Sequence, residues 1–229
     1  MSTAEKKPSQ MVLDFKVRPL LGRDDFFVAS FNEEAVRLID SFPFGFSGAL
    51  VYGASGSGKT HLTHYFADVV LQKTGGETVF LRARDLSARL VADVLSRGRF
   101  FVLEDIEAGV KEEPFFHLMN GCKNAGGFLL MTARAPYTSW RLALKDLESR
   151  LSALPSVHIG LPDDDAMRYV LVKLFADRQL RVSAEVIEYI LKRTERSFAA
   201  AGRIVEQADR LSLRDKKEIT VALVGELFR

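Results

Sequence analysis

The chain has 229 residues, of which 47% are apolar and 27% are charged, and its formal net charge is +2. This length and composition allow a substantial core, in one domain or in one domain with a smaller companion. The near balance of charge excludes a strong overall attraction to nucleic acid or acidic membranes, so any such contact must be local. The single cysteine, Cys122, excludes an internal disulfide, and we expect it to be a small apolar filler rather than a nucleophile.

The N-terminal segment is polar before it becomes apolar. Residues 1–9 are small, polar and charged, which predicts a mobile tail. An apolar island from Gln10 to Phe15 follows, and taken alone it is more simply a first strand packed on the domain. Neither a signal peptide nor a membrane-spanning run is recognisable, which predicts a cytoplasmic protein with no membrane contact.

From residue 48 onward, short apolar runs alternate with amphipathic stretches. The apolar runs predict strands at residues 48–52, 78–81, 100–103, 128–131 and 157–159. Helical periodicity is found between them, at residues 61–72, 85–96 and 113–124. Because the apolar runs are continuous, we expect parallel strands covered on both faces and joined by right-handed crossovers.

The pattern changes after Pro162, beyond which every periodic segment is helical. These segments are residues 163–179, 183–196, 198–213 and 220–228. Asp163 and Ser183 are predicted N-caps of the first two. We therefore divide the chain into an N-terminal tail (1–17), an α/β nucleotide-binding domain (18–161) and a small all-helical lid domain (162–229).

Residues 53–60 read G-A-S-G-S-G-K-T, between a predicted strand and a predicted helix. In this context the pattern predicts a P-loop, whose glycines let backbone N–H groups point at phosphate oxygens. Lys59 would neutralise the β and γ phosphates, and the Thr60 hydroxyl would bind Mg²⁺. The alternative, a glycine-rich turn with a chance Lys-Thr, is the weaker interpretation. The predicted nucleotide-contacting residues are Gly53, Ser55, Gly56, Ser57, Gly58, Lys59, Thr60 and His61.

Two carboxylates follow the predicted strand at residues 100–103. A P-loop protein needs such a group beside it, so we predict that Glu104 holds Mg²⁺ with Thr60 and that Asp105 orients the attacking water. The alternative is that both acids only end a strand in solvent.

Four segments together resemble a known family. They are the P-loop, Glu104 to Glu107, Leu129 to Thr132 followed by Arg134 and Pro136, and Leu147 to Leu151. The chain resembles, from about Arg18 to its end, the AAA+ region of the bacterial replication initiator DnaA and, more closely, the shorter homologues of the Hda type. This resemblance implies an α/β fold, a three-layer P-loop AAA+ domain with a parallel sheet, followed by a helical lid.

The resemblance also implies residue roles. Thr132 would be the polar sensor on the strand between the P-loop strand and the acidic strand. Arg150 would be an arginine finger that acts in trans, and Val28 would contact the adenine base. At Ala199 the family has a sensor arginine, for which Arg203 could substitute, although a surface ion pair is an equal alternative. The family also has Asp where Glu104 stands, so nucleotide binding is a safer expectation than catalysis.

The apolar island from Gln10 to Phe15 precedes this Hda-like domain. In that position it resembles the peptide with which such proteins bind the DNA polymerase sliding clamp. Its predicted contacts are Gln10, Met11, Leu13 and Phe15. The implied function is an ADP- or ATP-binding regulator that docks on the clamp and stimulates ATP hydrolysis by DnaA, preventing re-initiation.

Other expectations concern activity and partners. The alternatives are a stand-alone AAA+ ATPase or an adaptor for a different partner, and any intrinsic ATPase is expected to be weak. A homo-oligomer is possible. Because the sequence ends at Arg229, just after the lid, we expect no helix-turn-helix domain that reads DNA sequence.

Overall fold

The computed structural model describes residues 27–107 and 109–228. Within these residues it contains one five-stranded, all-parallel sheet with the order β2-β3-β4-β1-β5. The strands are β1 (Gly48–Tyr52), β2 (Thr78–Arg82), β3 (Phe100–Ile106), β4 (Phe128–Ala133) and β5 (Ser156–His158). The five predicted strands and their parallel arrangement are confirmed, whereas the segment from Gln10 to Phe15 lies outside the described residues.

Burial differs between the centre and the edges of the sheet. Every residue of β4 is buried, and β1 and β3 are buried except near their carboxyl ends. The edge strands β2 and β5 keep several side chains partly or fully exposed. The expectation that all five strands are covered on both faces is therefore wrong for β2 and β5, because an edge strand has a neighbour on one side only.

Helices cover both faces of the sheet and complete a three-layer α/β domain. They are α1 (Glu33–Asp40), α2 (Lys59–Thr74), α3 (Ala88–Leu95), α4 (Glu112–Asn124) and α5 (Lys145–Ser152). One core lies under α1 and α2, where Phe66 packs with Phe42 and Phe128. The other lies under α3, α4 and α5, and it includes Cys122, which is the predicted apolar filler. Burial raises the pKa of the Cys122 thiol to about 12, so this group is not a nucleophile at neutral pH.

The lid follows β5 and consists of helices packed on each other. They are α6 (Asp164–Asp177), α7 (Ala184–Leu191), α8 (Phe198–Asp215) and α9 (Val221–Gly225). Their shared core includes Leu171, Phe175, Ile190 and Val205. Asp163 caps α6 as predicted, because its Oδ1 accepts the Ala166 N–H at 2.8 Å.

The second lid helix departs from the sequence-based expectation in two ways. Ser183 stands at the N-cap of α7, but its side chain accepts no capping hydrogen bond. The helix also ends at Leu191 rather than near residue 196. After a turn, Ser197 starts α8, and its side chain accepts the Ala200 N–H.

A candidate nucleotide pocket between sheet and lid

A cavity of about 420 Å³ lies at the carboxyl ends of the central strands, where the lid meets the P-loop. In open parallel α/β sheets, this edge is where ligands bind. Its lining on the sheet side is Phe27, Asn32, Ser55, Gly56, Ser57, Gly58, Lys59, Thr60, His61, Asp105, Arg134 and Ile159. Its lining on the lid side is Val170, Lys173, Leu174, Asp177, Phe198, Ala199 and Gly202.

The P-loop joins β1 to α2 with two glycines in the left-handed region. The φ angles of Gly56 and Gly58 are 77° and 101°, which disfavour other residues. A Cβ on Gly56 would lie 2.1 Å from the Ser197 Oγ, and one on Gly58 would lie 3.3 Å from the Phe198 ring. The Phe198 N–H also donates to the Gly56 carbonyl at 3.0 Å. The lid therefore contacts the backbone of the P-loop directly.

Lys59 is the buried cation of the pocket, with 9% of its surface exposed. Its Nζ donates to the carbonyls of Gly53 and Ala54 at 2.7 and 2.8 Å. Burial lowers the pKa of Lys59; Asp105 opposes this effect, and the positive charge of Arg134 adds to it. With the N–H groups of the first turn of α2, which have no intrahelical partner, Lys59 makes this end of the pocket suited to a phosphate.

The two acids of β3 have different positions. A shift in register between β3 and β4 accompanies a positive φ of 58° at Asp105. Asp105 lines the pocket, and its N–H donates to the Thr132 Oγ1 at 3.2 Å. Glu104 is not among the lining residues. Its Oε1 lies 3.1 Å from the Thr63 Oγ1, which also lies 2.8 Å from the Thr60 carbonyl.

The predicted base contact and sensor lie beside the lining rather than in it. Val28 is 51% exposed and does not line the pocket, whereas its neighbour Phe27 does. Asn32 fixes this segment, since its Nδ2 donates to the Phe27 carbonyl at 2.8 Å. Thr132 lies on β4 between β1 and β3, as expected, but it is buried behind the pocket surface.

On the lid, the predicted substitute arginine points elsewhere. Arg203 forms an exposed ion pair with Glu195, whose Oε1 is 2.9 Å from its Nη2, and it does not line the pocket. This contact is the surface ion pair that the sequence left open as the alternative. Ala199, where the family has an arginine, does line the pocket.

Arg150 lies on α5 and is absent from the lining of this chain's own pocket. Its guanidinium carbon lies 5.1 Å from the centre of the Phe116 ring. Two anchors fix α5: Leu147 and Leu151 are buried, and the Glu112 carboxylate accepts the N–H groups of Ala143 and Leu144. The arginine is therefore carried by a rigid helix outside the pocket.

The segment after β4 is also fixed. Trp140 is 4% exposed, and its indole Nε1 donates to the Ala135 carbonyl at 3.1 Å. Ala135 directly follows Arg134, which reaches the pocket. From the sequence, Arg134 is recognisable only as part of a motif, and no pattern indicates that Asn32 holds Phe27.

The fold and the site define a class. A P-loop after β1 of an all-parallel sheet with the order β2-β3-β4-β1-β5, followed by a helical lid, is the architecture of AAA+ proteins. In agreement, the RuvB Holliday junction branch migration motor of Thermotoga maritima superposes with a TM-score of 0.60 at 17% identity, over 84% of this chain and 63% of RuvB.

Within that class, the relatives are replication proteins. Residues 163–228 match the family model described as "Hda, lid domain". The chain is 28% identical, over 84% of its length and 48% of the relative's, to the chromosomal replication initiator DnaA of Cereibacter sphaeroides. It thus spans about half the length of the curated relatives it matches. Domain III of DnaA from Thermotoga maritima superposes with a TM-score of 0.80 at 15% identity, over 90% of this chain and 95% of that domain.

AMPPCP-bound DnaA from Aquifex aeolicus superposes with a TM-score of 0.69 at 18% identity, covering 88% of this chain and 71% of that structure. The chain is therefore similar to DnaA in sequence and to its domain III in fold, and its lid domain is similar to that of Hda.

Two features are absent from residues 27–107 and 109–228. No helix there is long and apolar enough to cross a membrane. No group of three or more His, Cys, Asp or Glu side chains there could hold a metal ion.

Proposed function

We propose that the pocket binds ADP or ATP together with Mg²⁺. Its two ends suit the two ends of such a ligand: the P-loop and Lys59 suit the phosphates, and the apolar Phe27, Val170 and Leu174 suit a base. Gly58 has no side chain, so the space between the P-loop backbone and the Phe198 ring stays open. A Cβ at this position would lie only 3.3 Å from that ring. The similarity to AMPPCP-bound DnaA of Aquifex aeolicus supports the same assignment.

The residues present also fit Mg²⁺ bound between phosphates and protein oxygens. Thr60 and Asp105 line the pocket and offer a hydroxyl and a carboxylate, which are ligands that Mg²⁺ accepts directly or through water. Bound there, the ion would neutralise phosphate charge. Glu104 would act from behind, where Thr63 orients its carboxylate.

Nucleotide binding is tested by calorimetry with Mg²⁺ and ADP or AMPPCP. Lys59→Ala removes the buried cation. We expect the affinity for the nucleotide to fall at least about a hundredfold, because this is the size expected for the loss of two charge-assisted hydrogen bonds to the phosphates. Lys145→Ala, which removes an exposed lysine paired with Glu148, is the control and should bind normally. Equal affinity of the Lys59 variant and the unchanged chain would refute the assignment.

We further propose that the protein regulates replication initiation by stimulating ATP hydrolysis on DnaA, with Arg150 as an arginine finger in trans. The observation that carries this proposal is the position of Arg150, which is fixed on α5 but outside its own pocket. Among the described residues, its guanidinium contacts the Phe116 ring and no carboxylate. Its charge thus stays available to stabilise the charge that develops on a phosphoryl group held by a neighbouring subunit.

The test is hydrolysis of ATP by DnaA with this protein and the loaded sliding clamp present. Arg150→Ala should abolish the stimulation, because an arginine finger contributes about 10³- to 10⁵-fold in related enzymes. Arg193→Ala is a matched control, since Arg193 also lies over an aromatic ring, that of Tyr189, but on the lid. Stimulation that survives in the Arg150 variant would remove the finger role.

The clamp is the second proposed partner, through Gln10, Met11, Leu13 and Phe15, which lie outside the described residues. A pull-down on purified clamp should retain the unchanged chain and lose the Leu13→Ala, Phe15→Ala double variant, because these are the apolar anchors. Nucleotide affinity should be the same in both. If the double variant stays on the clamp, this peptide is not the docking segment.

A second candidate function is hydrolysis by the chain itself, which the position of Asp105 beside Lys59 in one pocket favours. Turnover by the purified chain decides it. A rate that Asp105→Asn and Glu104→Gln both lower would support an independent ATPase. Negligible turnover, unchanged by either substitution, would leave the chain a nucleotide-binding regulator.

A further inference from the structure

Helix α4 lies beside the helix that carries Arg150, and it contacts that part of the chain at two points one turn apart. Glu112, the first residue of α4, makes one contact, and Phe116 makes the other. Residues four apart lie on the same face of a helix, so one face of α4 is turned toward α5. Both contacts therefore act on the segment that holds Arg150.

Glu112 fixes the start of α5. Leu144 occupies the N-cap of α5, and it has no side-chain oxygen with which to cap the helix. The Glu112 carboxylate instead accepts the Ala143 N–H at 2.9 Å and the Leu144 N–H at 2.6 Å. Hydrogen bonds to an ionised acceptor are stronger than those between neutral groups. The direction in which α5 begins is thus set by α4.

Phe116 holds the end of the Arg150 side chain. The guanidinium carbon lies 5.1 Å from the centre of the ring, which is within the range where a cation is attracted to an aromatic face. The ring is half-buried and packs against the core under α3, α4 and α5, so it has little freedom of its own. A fixed ring of this kind restricts the positions that the guanidinium can take.

A ring orients an arginine without neutralising it. Several other arginines of the chain lie against carboxylates: Arg168, Arg196, Arg203 and Arg210. In such a pair the carboxylate occupies N–H donors of the guanidinium and balances its charge. The contact of Arg150 with the Phe116 ring involves no carboxylate, and it is weak enough for the guanidinium to form stronger bonds with a phosphate.

We infer that Phe116 is a positioning residue for Arg150, and that its ring holds the guanidinium ready to meet the phosphoryl group held by a DnaA subunit. This inference rests on the arginine-finger role proposed above. Glu112 supports the same arrangement, because it fixes the helix from which Arg150 projects. A charge that is already in place stabilises a transition state without reorganisation, whereas a displaced group loses much of its effect.

The expected signature is a lower maximal rate with unchanged recruitment. Without the ring, the Arg150 side chain has more positions open to it, so a smaller fraction of the complexes holds the guanidinium correctly. The concentration of this protein that gives half of the maximal rate should stay nearly constant. A residue that only supplied contact area would raise that concentration and leave the maximal rate unchanged.

The experiment measures ATP hydrolysis by DnaA over a range of concentrations of the full chain, with the loaded sliding clamp present. Phe116→Leu should lower the maximal rate about three- to tenfold, between the size of one cation–π contact and the larger loss from a displaced group. Phe116→Tyr keeps an aromatic face and should retain most of the rate. Thermal unfolding checks that each variant is folded.

Tyr189→Leu is the matched control, because the Tyr189 ring also lies under a guanidinium, that of Arg193, but on the lid. It should leave the maximal rate unchanged. The inference is overturned if Phe116→Leu keeps the maximal rate, or if Phe116→Tyr or Tyr189→Leu loses as much, while Arg150→Ala abolishes the stimulation. Stimulation that is absent from the unchanged chain, or that Arg150→Ala retains, would instead refute the proposed function.

Discussion

The sheet side and the lid side of the pocket contribute different chemistry. The sheet side carries its hydroxyls and most of its charge, on Ser55, Ser57, Lys59, Thr60, Asp105 and Arg134. The lid side is mainly apolar or small, with Val170, Leu174, Phe198, Ala199 and Gly202, although Lys173 and Asp177 also lie there. The groups that need accurate placement thus lie on β3, directly after β1 and β4, or at the start of α2, and the lid encloses them.

The two sides also differ in how they are held. The sheet side is fixed by backbone pairing of β3, β4 and β1 along their length. The lid meets the P-loop through local contacts, which include the hydrogen bond from the Phe198 N–H to the Gly56 carbonyl. Substitutions on the sheet side should therefore change the chemistry of the site. Substitutions at residues 197–198 should instead change how the lid closes over the P-loop.

The largest effect on closure is expected from Gly56→Ala. The new Cβ would lie 2.1 Å from the Ser197 Oγ, at a backbone φ of 77° that alanine disfavours. Ser197 cannot turn away freely, because its Oγ caps α8 through the Ala200 N–H. We expect the affinity for AMPPCP, measured by calorimetry, to fall at least about tenfold, since strain of this kind costs on the order of 1–3 kcal/mol.

Gly202→Ala is the matched control for that substitution. Gly202 also lines the pocket from α8, but a Cβ there meets nothing within 4 Å. Alanine in a helix interior should stabilise the fold by about 0.5–1 kcal/mol. A Gly56 variant that binds as tightly as the Gly202 variant would show that contact between lid and P-loop is unimportant for binding.

A smaller effect is expected on the sheet side, from Thr63→Val. Thr63 is fully buried, and its hydroxyl is the donor within hydrogen-bond distance of two acceptors, the Glu104 Oε1 at 3.1 Å and the Thr60 carbonyl at 2.8 Å, which share its one proton. Valine leaves Glu104 without this donor. The quantity of interest is the factor by which Mg²⁺ strengthens ADP binding. We expect this factor to fall about tenfold in the valine variant, which is the lower end of the losses seen for groups that orient metal ligands.

The measurement compares ADP affinity with Mg²⁺ and with EDTA. Thr63→Ser keeps the hydroxyl and should keep most of the Mg²⁺ effect. If valine lowers both affinities by the same factor, Thr63 acts in packing and does not orient Glu104.

The smallest expected effect is a difference in the free energy of unfolding between variants at two serines of the lid. Ser197→Ala removes the side chain that caps α8, so the free energy of unfolding should fall by about 1 kcal/mol. Ser183→Ala should change it by much less, because the Ser183 side chain accepts no capping bond on α7. Urea unfolding of both variants measures the difference, and equal losses would contradict it.

Much of the fold could be predicted, because it follows from local patterns. Continuous apolar runs located β1, β3 and β4, and the glycines before Lys59 located the P-loop. The ends of the lid helices were harder: α7 ends at Leu191, although its apolar periodicity favoured a longer helix. Periodicity does not show where tertiary contacts stop supporting a helix.

The site was less predictable, because single residues change direction for reasons that lie elsewhere in the fold. The shift in register after Leu103 brings Asp105 into the pocket and leaves Glu104 behind Thr63. Asn32 places Phe27 rather than Val28 at the pocket, through a hydrogen bond across five residues of loop. Such contacts have no periodic signature, so the sequence indicated the right segments but not the right side chain within each.

The hydrogen bond of Trp140 has a practical consequence. The chain has one tryptophan, so the emission excited selectively from tryptophan comes from a single indole, and that indole donates a hydrogen bond to the residue directly after Arg134. Any rearrangement of this strand exit that alters the surroundings of the ring would change the emission wavelength or intensity. The protein thus carries a built-in optical reporter, and its response to each nucleotide can be followed without attaching a dye.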